Sequence, residues 1–232
     1  LRFLFAMSGI RVKICGIRDE AALEAAVAAG ADFMGLVFYP PSPRHVELEE
    51  AAALARLAAG RVAVVALVVN ADDALLKAIA REVKPDYIQC HGNETRRRLA
   101  AIHALTGCPL IRAFRVRTAQ DVAAAEDFAD CMAFPLFDAG APPGGEGGLP
   151  GGTGRVFDWR LLRGYGRPFM LAGGLTPQNV GEAIRVTGAP MVDVSSGVEI
   201  RRGVKDPDLI AAFVRAARQA AAGSDPAGLA KG

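Results

Sequence analysis

Along the chain, short runs of apolar and β-branched residues alternate with alanine-rich stretches that carry charge at helical spacing. The apolar runs predict strands at "RVKICG" (11–16), "FMGLVFY" (33–39), "VAVVALVV" (62–69), "YIQC" (87–90), "PLIRAFR" (109–115), "CMAFPLFD" (131–138), "PFMLAG" (168–173) and "MVDVSS" (191–196). The stretches that follow them predict helices at about 19–29, 47–59, 72–83, 94–106, 118–127, 158–164, 177–187 and 206–221. Runs that stay apolar on both faces suit parallel strands covered by helices, because a strand with one wet face alternates. Eight such strand–helix units predict a single α/β domain, a (β/α)8 TIM barrel over residues 11–222. The competing open, doubly wound sheet fits less well, since the first strand-to-helix turn, "CGIRDE", lacks the G-x-G-x-x-G fingerprint.

Three segments fall outside the rhythm. "AGAPPGGEGGLPGGTG" (139–154) is too rich in Gly and Pro for helix or strand. It follows the sixth strand, which in a barrel puts it at the C-terminal face, as either a lid over the mouth or a tolerated insertion. Residues 1–10 are expected to be an N-terminal extension, non-native over 1–6 in one reading, because "MSGIRVKICG" reads as a natural beginning. Residues 223–232 are expected to be a flexible tail.

Composition narrows the class. With 232 residues, 51% hydrophobic and 22% charged, the chain has enough apolar side chains for one large core. A net charge of +2 is too mild for a nucleic-acid surface, yet it does not repel a phosphorylated small molecule. The apolar opening "LRFLFAM" is far shorter than the roughly 20 residues of a membrane span, so no membrane partner is expected. Cys15, Cys90, Cys108 and Cys131 show no C-x-x-C and no pairing rhythm, which suits a reducing, cytoplasmic setting. Outward helix faces rich in alanine suit solvent or a second copy, leaving monomer and homodimer open.

In a barrel the C-terminal strand ends share one mouth, which would gather Cys15, Phe38, Arg44, His91, Arg115, Asp138, Gly173 and Ser195. Asp138 ends an apolar run, where a carboxylate is costly unless paired or used, and burial there would raise its pKa toward that of a general acid. Cys15 lies two residues after Lys13 on the same strand face, and an ammonium nearby would favour a thiolate base. The bland reading of Cys15 is a small buried hydrophobe. "AGGLTPQNV" sets Gly173 and Gly174 before Thr176 as N-cap and Pro177 at the first helical position, and "VSSGVE" adds Ser195, Ser196 and Gly197. Barrels bind phosphate between the loops after strands 7 and 8, so these residues predict a phosphate grip. His91, in "QCHGNE", is either a substrate-facing residue or a loop cap. His45, His91 and His103 have no partners at ligand spacing, so no metal is expected, and no Walker motif or G-x-S-x-G elbow is present.

Taken in order, "VKICGI", "GADFMGLVFYPPSPRHV", "DYIQCHGNE", "FDAG" with "GGTGRVFDW", "LAGGLTPQNV" and "VDVSSGVE" with "GVKD" resemble the phosphoribosylanthranilate isomerase family of tryptophan biosynthesis, from Arg11 to about Phe213. The resemblance implies an Amadori rearrangement of N-(5-phosphoribosyl)anthranilate to 1-(2-carboxyphenylamino)-1-deoxyribulose 5-phosphate, without cofactor. It also implies that Asp138 is the general acid, Cys15 the general base, and Arg44 the arginine that meets the anthranilate moiety. Cys90 departs from the family's usual aliphatic residue and would put a second thiol near the mouth. The Gly/Pro loop is longer than usual. The histidine-pathway Amadori isomerase, which typically has a carboxylate where Cys15 stands, and a non-catalytic phosphate-binding barrel are the alternatives. Ribulose-phosphate epimerases and thiamin phosphate synthases share the glycine turns but need metal sites not visible here.

Overall fold

In the computed structural model, which describes residues 9–139 and 156–223, eight parallel strands close on themselves in sequence order. They are β1 (Arg11–Cys15), β2 (Phe33–Phe38), β3 (Ala63–Val68), β4 (Tyr87–Cys90), β5 (Leu110–Val116), β6 (Phe134–Ala139), β7 (Met170–Leu171) and β8 (Met191–Val194). β8 returns beside β1 with Lys13 directly opposite Asp193. Around them lie α1 (Glu20–Ala28), α2 (Leu48–Ala58), α3 (Asp73–Ala78), α4 (Arg96–Thr106), α5 (Ala119–Ala123), α6 (Val180–Thr187) and α7 (Pro207–Ala222). The predicted barrel is the fold.

Local sequence sets the helix starts. The Asp19 side chain accepts from Ala22 N–H at 2.8 Å ahead of α1, and Asp72 accepts from Leu75 N–H at 2.8 Å ahead of α3. Glu47 and Glu50 form a capping box at α2, and Asp206 caps α7, whose first residue is Pro207. Where such signals are weak the predicted helices shrink. Residues 158–164 make only a 3-10 turn, Trp159–Leu162, before Gly164 turns left-handed at φ 72°. The stretch 118–127 divides into α5 and a second 3-10 turn, Glu126–Phe128. An antiparallel hairpin, β9 (Glu199–Arg201) with β10 (Val204–Lys205), occupies what the sequence pattern leaves as loop.

Strand side chains alternate between two cores. Phe33, Ile111, Phe134, Leu136, Met170 and Met191 fill the barrel interior, while Val12, Ile14, Leu36, Phe137, Leu171 and Val192 face the helices. The outer layer continues through edge-to-face contacts of Phe137 with Tyr165 (5.1 Å) and Phe169 (5.7 Å). Ile10 is buried in this layer, and its carbonyl accepts from Arg218 of α7. The expected extension over 1–6, the tail beyond Gly223 and the Gly/Pro loop beyond Ala139 lie outside the described residues. Among the described residues no helix is long and apolar enough to cross a membrane.

Candidate active site

The interior is packed with apolar side chains at mid-height and turns polar at the C-terminal end, where a cleft opens to solvent. Cys15, Arg44, His91, Asp138, Gly173, Gly174, Ser195 and Ser196 line it, as the sequence predicts. Gly197 does not. A Cβ there would lie 1.9 Å from the Leu175 carbonyl oxygen, so Gly197 lets the loop after β8 pass against the loop after β7. Phe38 and Arg115 are also outside the lining: Phe38 faces the helix layer on the outward parity of β2, and Arg115 is exposed.

Cys15 is buried on the inward face of β1, with the wholly buried Lys13 two residues below it. Lys13 Nζ donates to Asp193 Oδ1 at 3.0 Å. Burial pulls the Lys13 pKa down, but Asp193 and Cys15 outweigh it and hold the ammonium above its ordinary value. Lys13 favours the Cys15 thiolate as expected, but burial outweighs it. Burial raises the Cys15 thiol, Lys13 opposes, Asp193 adds to the rise, and the outcome is upward. Facing them across the strand pair is Gly35, where a Cβ would stand 2.8 Å from Cys15 Sγ and 3.2 Å from Lys13 Nζ.

Asp138 is buried at the end of β6, with Oδ2 3.3 Å from His91 Nε2. His91 Nδ1 lies 3.0 Å from the Gln89 amide nitrogen. An amide N–H donating to Nδ1 leaves the ring proton on Nε2, the nitrogen turned toward Asp138. Nε2 is close to Asp138 but out of line for a hydrogen bond, and neither it nor Gln89 Oε1 has a partner. Both residues line the cleft, but these two atoms are themselves buried.

Gly173 and Gly174 take left-handed φ values of 90° and 62°, and their N–H groups have no hydrogen-bond partner among the described residues. Helix α6 begins at Val180 rather than Pro177, so the expected Thr176 cap is replaced. Asn179 does the work from the other side: Oδ1 accepts from Thr176 N–H at 2.8 Å and Nδ2 donates to the Gly174 carbonyl at 2.9 Å. On the opposite wall the Arg44 stem lies on Gly16, whose φ is 82° and where a Cβ would meet Arg44 Cδ at 2.7 Å. Among the described residues no group of three or more His, Cys, Asp or Glu side chains is placed to hold a metal ion.

The sequence pattern missed Gln89 and Asp193 as cleft residues, although each is a polar side chain inside an apolar strand, "YIQC" and "MVDV", which is the available signal. It misplaced Cys90, which is fully buried on the outward parity of β4 among the helix-layer side chains, its thiol pushed up by burial.

The sequence profile described as N-(5'phosphoribosyl)anthranilate (PRA) isomerase matches residues 12–216. The chain belongs to this family. It is similar to the N-(5'-phosphoribosyl)anthranilate isomerase of Rhodopseudomonas palustris strain BisB18, 52% identical over 89% of this chain and 95% of that one. The enzyme of that name from Azorhizobium caulinodans is 51% identical over 96% and 97% of the two chains. Among solved structures, the phosphoribosyl anthranilate isomerase of Thermotoga maritima superposes with a TM-score of 0.81 at 33% identity, over 90% of this chain and 99% of that one. A solved structure of mutually generated monomers of that dimeric enzyme gives a TM-score of 0.78 at 32% identity, over 90% of this chain and 99% of that one. Another solved isomerase, in complex with reduced 1-(o-carboxyphenylamino)-1-deoxyribulose 5-phosphate, gives a TM-score of 0.78 at 32% identity, over 90% and 99% of the chains. As a member of the family the chain is an enzyme, an isomerase.

Because Cys90 faces helices and not the cleft, Cys90→Ser in the isomerase should leave kcat close to normal while lowering unfolding stability by about 1–3 kcal/mol, the cost of a hydroxyl in an apolar layer. Turnover kinetics and urea denaturation of the variant check both halves.

Proposed function

We propose that the cleft converts N-(5-phosphoribosyl)anthranilate to 1-(2-carboxyphenylamino)-1-deoxyribulose 5-phosphate by acid–base proton transfer between Asp138 and Cys15. Asp138 protonates the ribose ring oxygen as the anilino nitrogen pushes its lone pair toward C1, opening the ring to a Schiff base. Cys15, as thiolate, removes the C2 proton to give an enolamine, which tautomerises to the aminoketose.

One observation carries the reading. Around the closed barrel, the strand ends run β6 with Asp138, β7 with Gly173 and Gly174, β8 with Ser195 and Ser196, then β1 with Cys15. A phosphate held at the β7 and β8 loops would sit between acid and base, facing the Gly173 and Gly174 N–H groups, which have no partner among the described residues. The ribose attached to it would then reach both groups, and Arg44 beyond β2 would meet the anthranilate carboxylate.

The chemistry calls for no cofactor and no metal, and the proposed partner is this phosphorylated small molecule, with neither nucleic acid nor membrane. Four free thiols support a cytoplasmic setting. The assembly is a monomer or a homodimer.

The base must be ionised, and its thiol is raised by burial, so kcat/KM should climb as pH rises through the Cys15 ionisation. Lys13 favours the thiolate, so Lys13→Met should move that limb to higher pH; an unmoved limb would remove Lys13 from the tuning of Cys15. Asp138→Asn should lower kcat by about 10²–10⁴-fold with little change in KM, read from the decay of substrate fluorescence with the labile substrate generated in place. Near-normal turnover in folded Asp138→Asn would exclude Asp138 as the acid.

A further inference from the structure

We infer that Glu199 is a positioning residue that holds the Arg44 guanidinium in register for the carboxylate end of the substrate, an inference resting on the proposed function. Its side chain is almost fully buried at the start of β9, directly after the loop that closes the phosphate end of the cleft. Oε1 accepts from Arg44 Nε at 2.8 Å and from Lys205 Nζ at 2.9 Å. Oε2 accepts from Arg44 Nη2 at 2.9 Å and from Gly203 N–H at 3.2 Å. Two of the three guanidinium nitrogens are therefore fixed on one carboxylate, a fork that sets the plane of the group as well as its place. The third, Nη1, makes no hydrogen bond among the described residues, and Arg44 lines the cleft.

Charge completes the argument. The carboxylate lies between the buried Arg44 and Lys205; burial lowers the Lys205 pKa and Glu199 opposes that, so the carboxylate supports both neighbours at once. Burial raises the Glu199 pKa, but Arg44 and Lys205 outweigh it, so it remains ionised. Lys205 also donates to the Ser195 carbonyl at 2.9 Å, and Ser195 Oγ donates to the Cys15 carbonyl at 3.0 Å. The carboxylate thus ties Arg44, carried on the loop after β2, to the end of the strand that carries Cys15. With Glu199 removed, Arg44 would keep its stem on Gly16 but lose the partner that aims its head.

The test compares two probes on the whole protein: reduced 1-(o-carboxyphenylamino)-1-deoxyribulose 5-phosphate, which presents both a carboxylate and a phosphate, and inorganic phosphate, which presents one. Glu199→Gln keeps the shape but puts an amide N–H₂ against donors. It should weaken the reduced analogue by about 10–100-fold, the worth of a charge-assisted fork, while phosphate affinity stays within about 2-fold. Arg44→Lys should show the same split, and the double variant should be little worse than either single one. Equal weakening of both probes, or none, would overturn the positioning role. If Glu199→Gln does not fold, Glu199→Asp, with the carboxylate drawn back, should give the same split. An analogue affinity that ignores Arg44→Lys altogether would sink the reading of Arg44 in the proposed function instead.

Discussion

The Lys13–Asp193 ion pair crosses the seam where the last strand of the barrel meets the first, and the rest of the site is built on it. Both side chains point inward from directly opposed positions, 3.0 Å apart and shielded from water. Such a pair costs desolvation on both sides and gives little net stability, but removing one partner strands a buried charge at about 3–5 kcal/mol. It therefore specifies that β8 lies beside β1 in this register. Cys15 stands one inward step above Lys13, Ser195 follows Asp193 by one inward step, and the Ser195 hydroxyl donates to the Cys15 carbonyl. The base, the phosphate loop and the β9–β10 hairpin behind it thus share one electrostatic footing.

That footing also explains why the thiol is not inert. Burial alone would leave Cys15 a small hydrophobe, as it leaves Cys90, while an ammonium beside it stabilises the thiolate that a base needs. Gly35 keeps the space in which sulfur and ammonium meet. Across the cleft, Nε2 of His91 and Oε1 of Gln89 are buried polar atoms with no hydrogen-bond partner among the described residues, which a core built for stability alone would satisfy.

Much of this was legible in the chain. Buried parallel strands write themselves as continuous apolar runs, so all eight appear in the sequence at nearly their true places. The glycine loops after β7 and β8 were legible for the same physical reason they exist, since backbone must come close to an anion or to other backbone. What escaped was direction. Cys90 and Phe38 sit at strand ends as expected, yet the period of two turns them outward, a parity that becomes visible only once a neighbouring inward residue is known. Relations between distant residues escaped as well. Glu199 and Arg44 are 155 positions apart, and neither residue alone hints at the other. The balance of burial against Lys13 at Cys15 required the packing, because spacing gives the charge but not the loss of water.

The most direct test of the account follows the hydrogen on C2 of the ribose. With substrate deuterated at that carbon, single-turnover measurements should show deuterium released to solvent by the wild-type enzyme. Cys15→Ala should release none, while still binding the reduced product analogue as the wild type does. Deuterium release at the wild-type rate from Cys15→Ala would show that some other group takes the proton, and the central assignment of the thiol as base would be wrong.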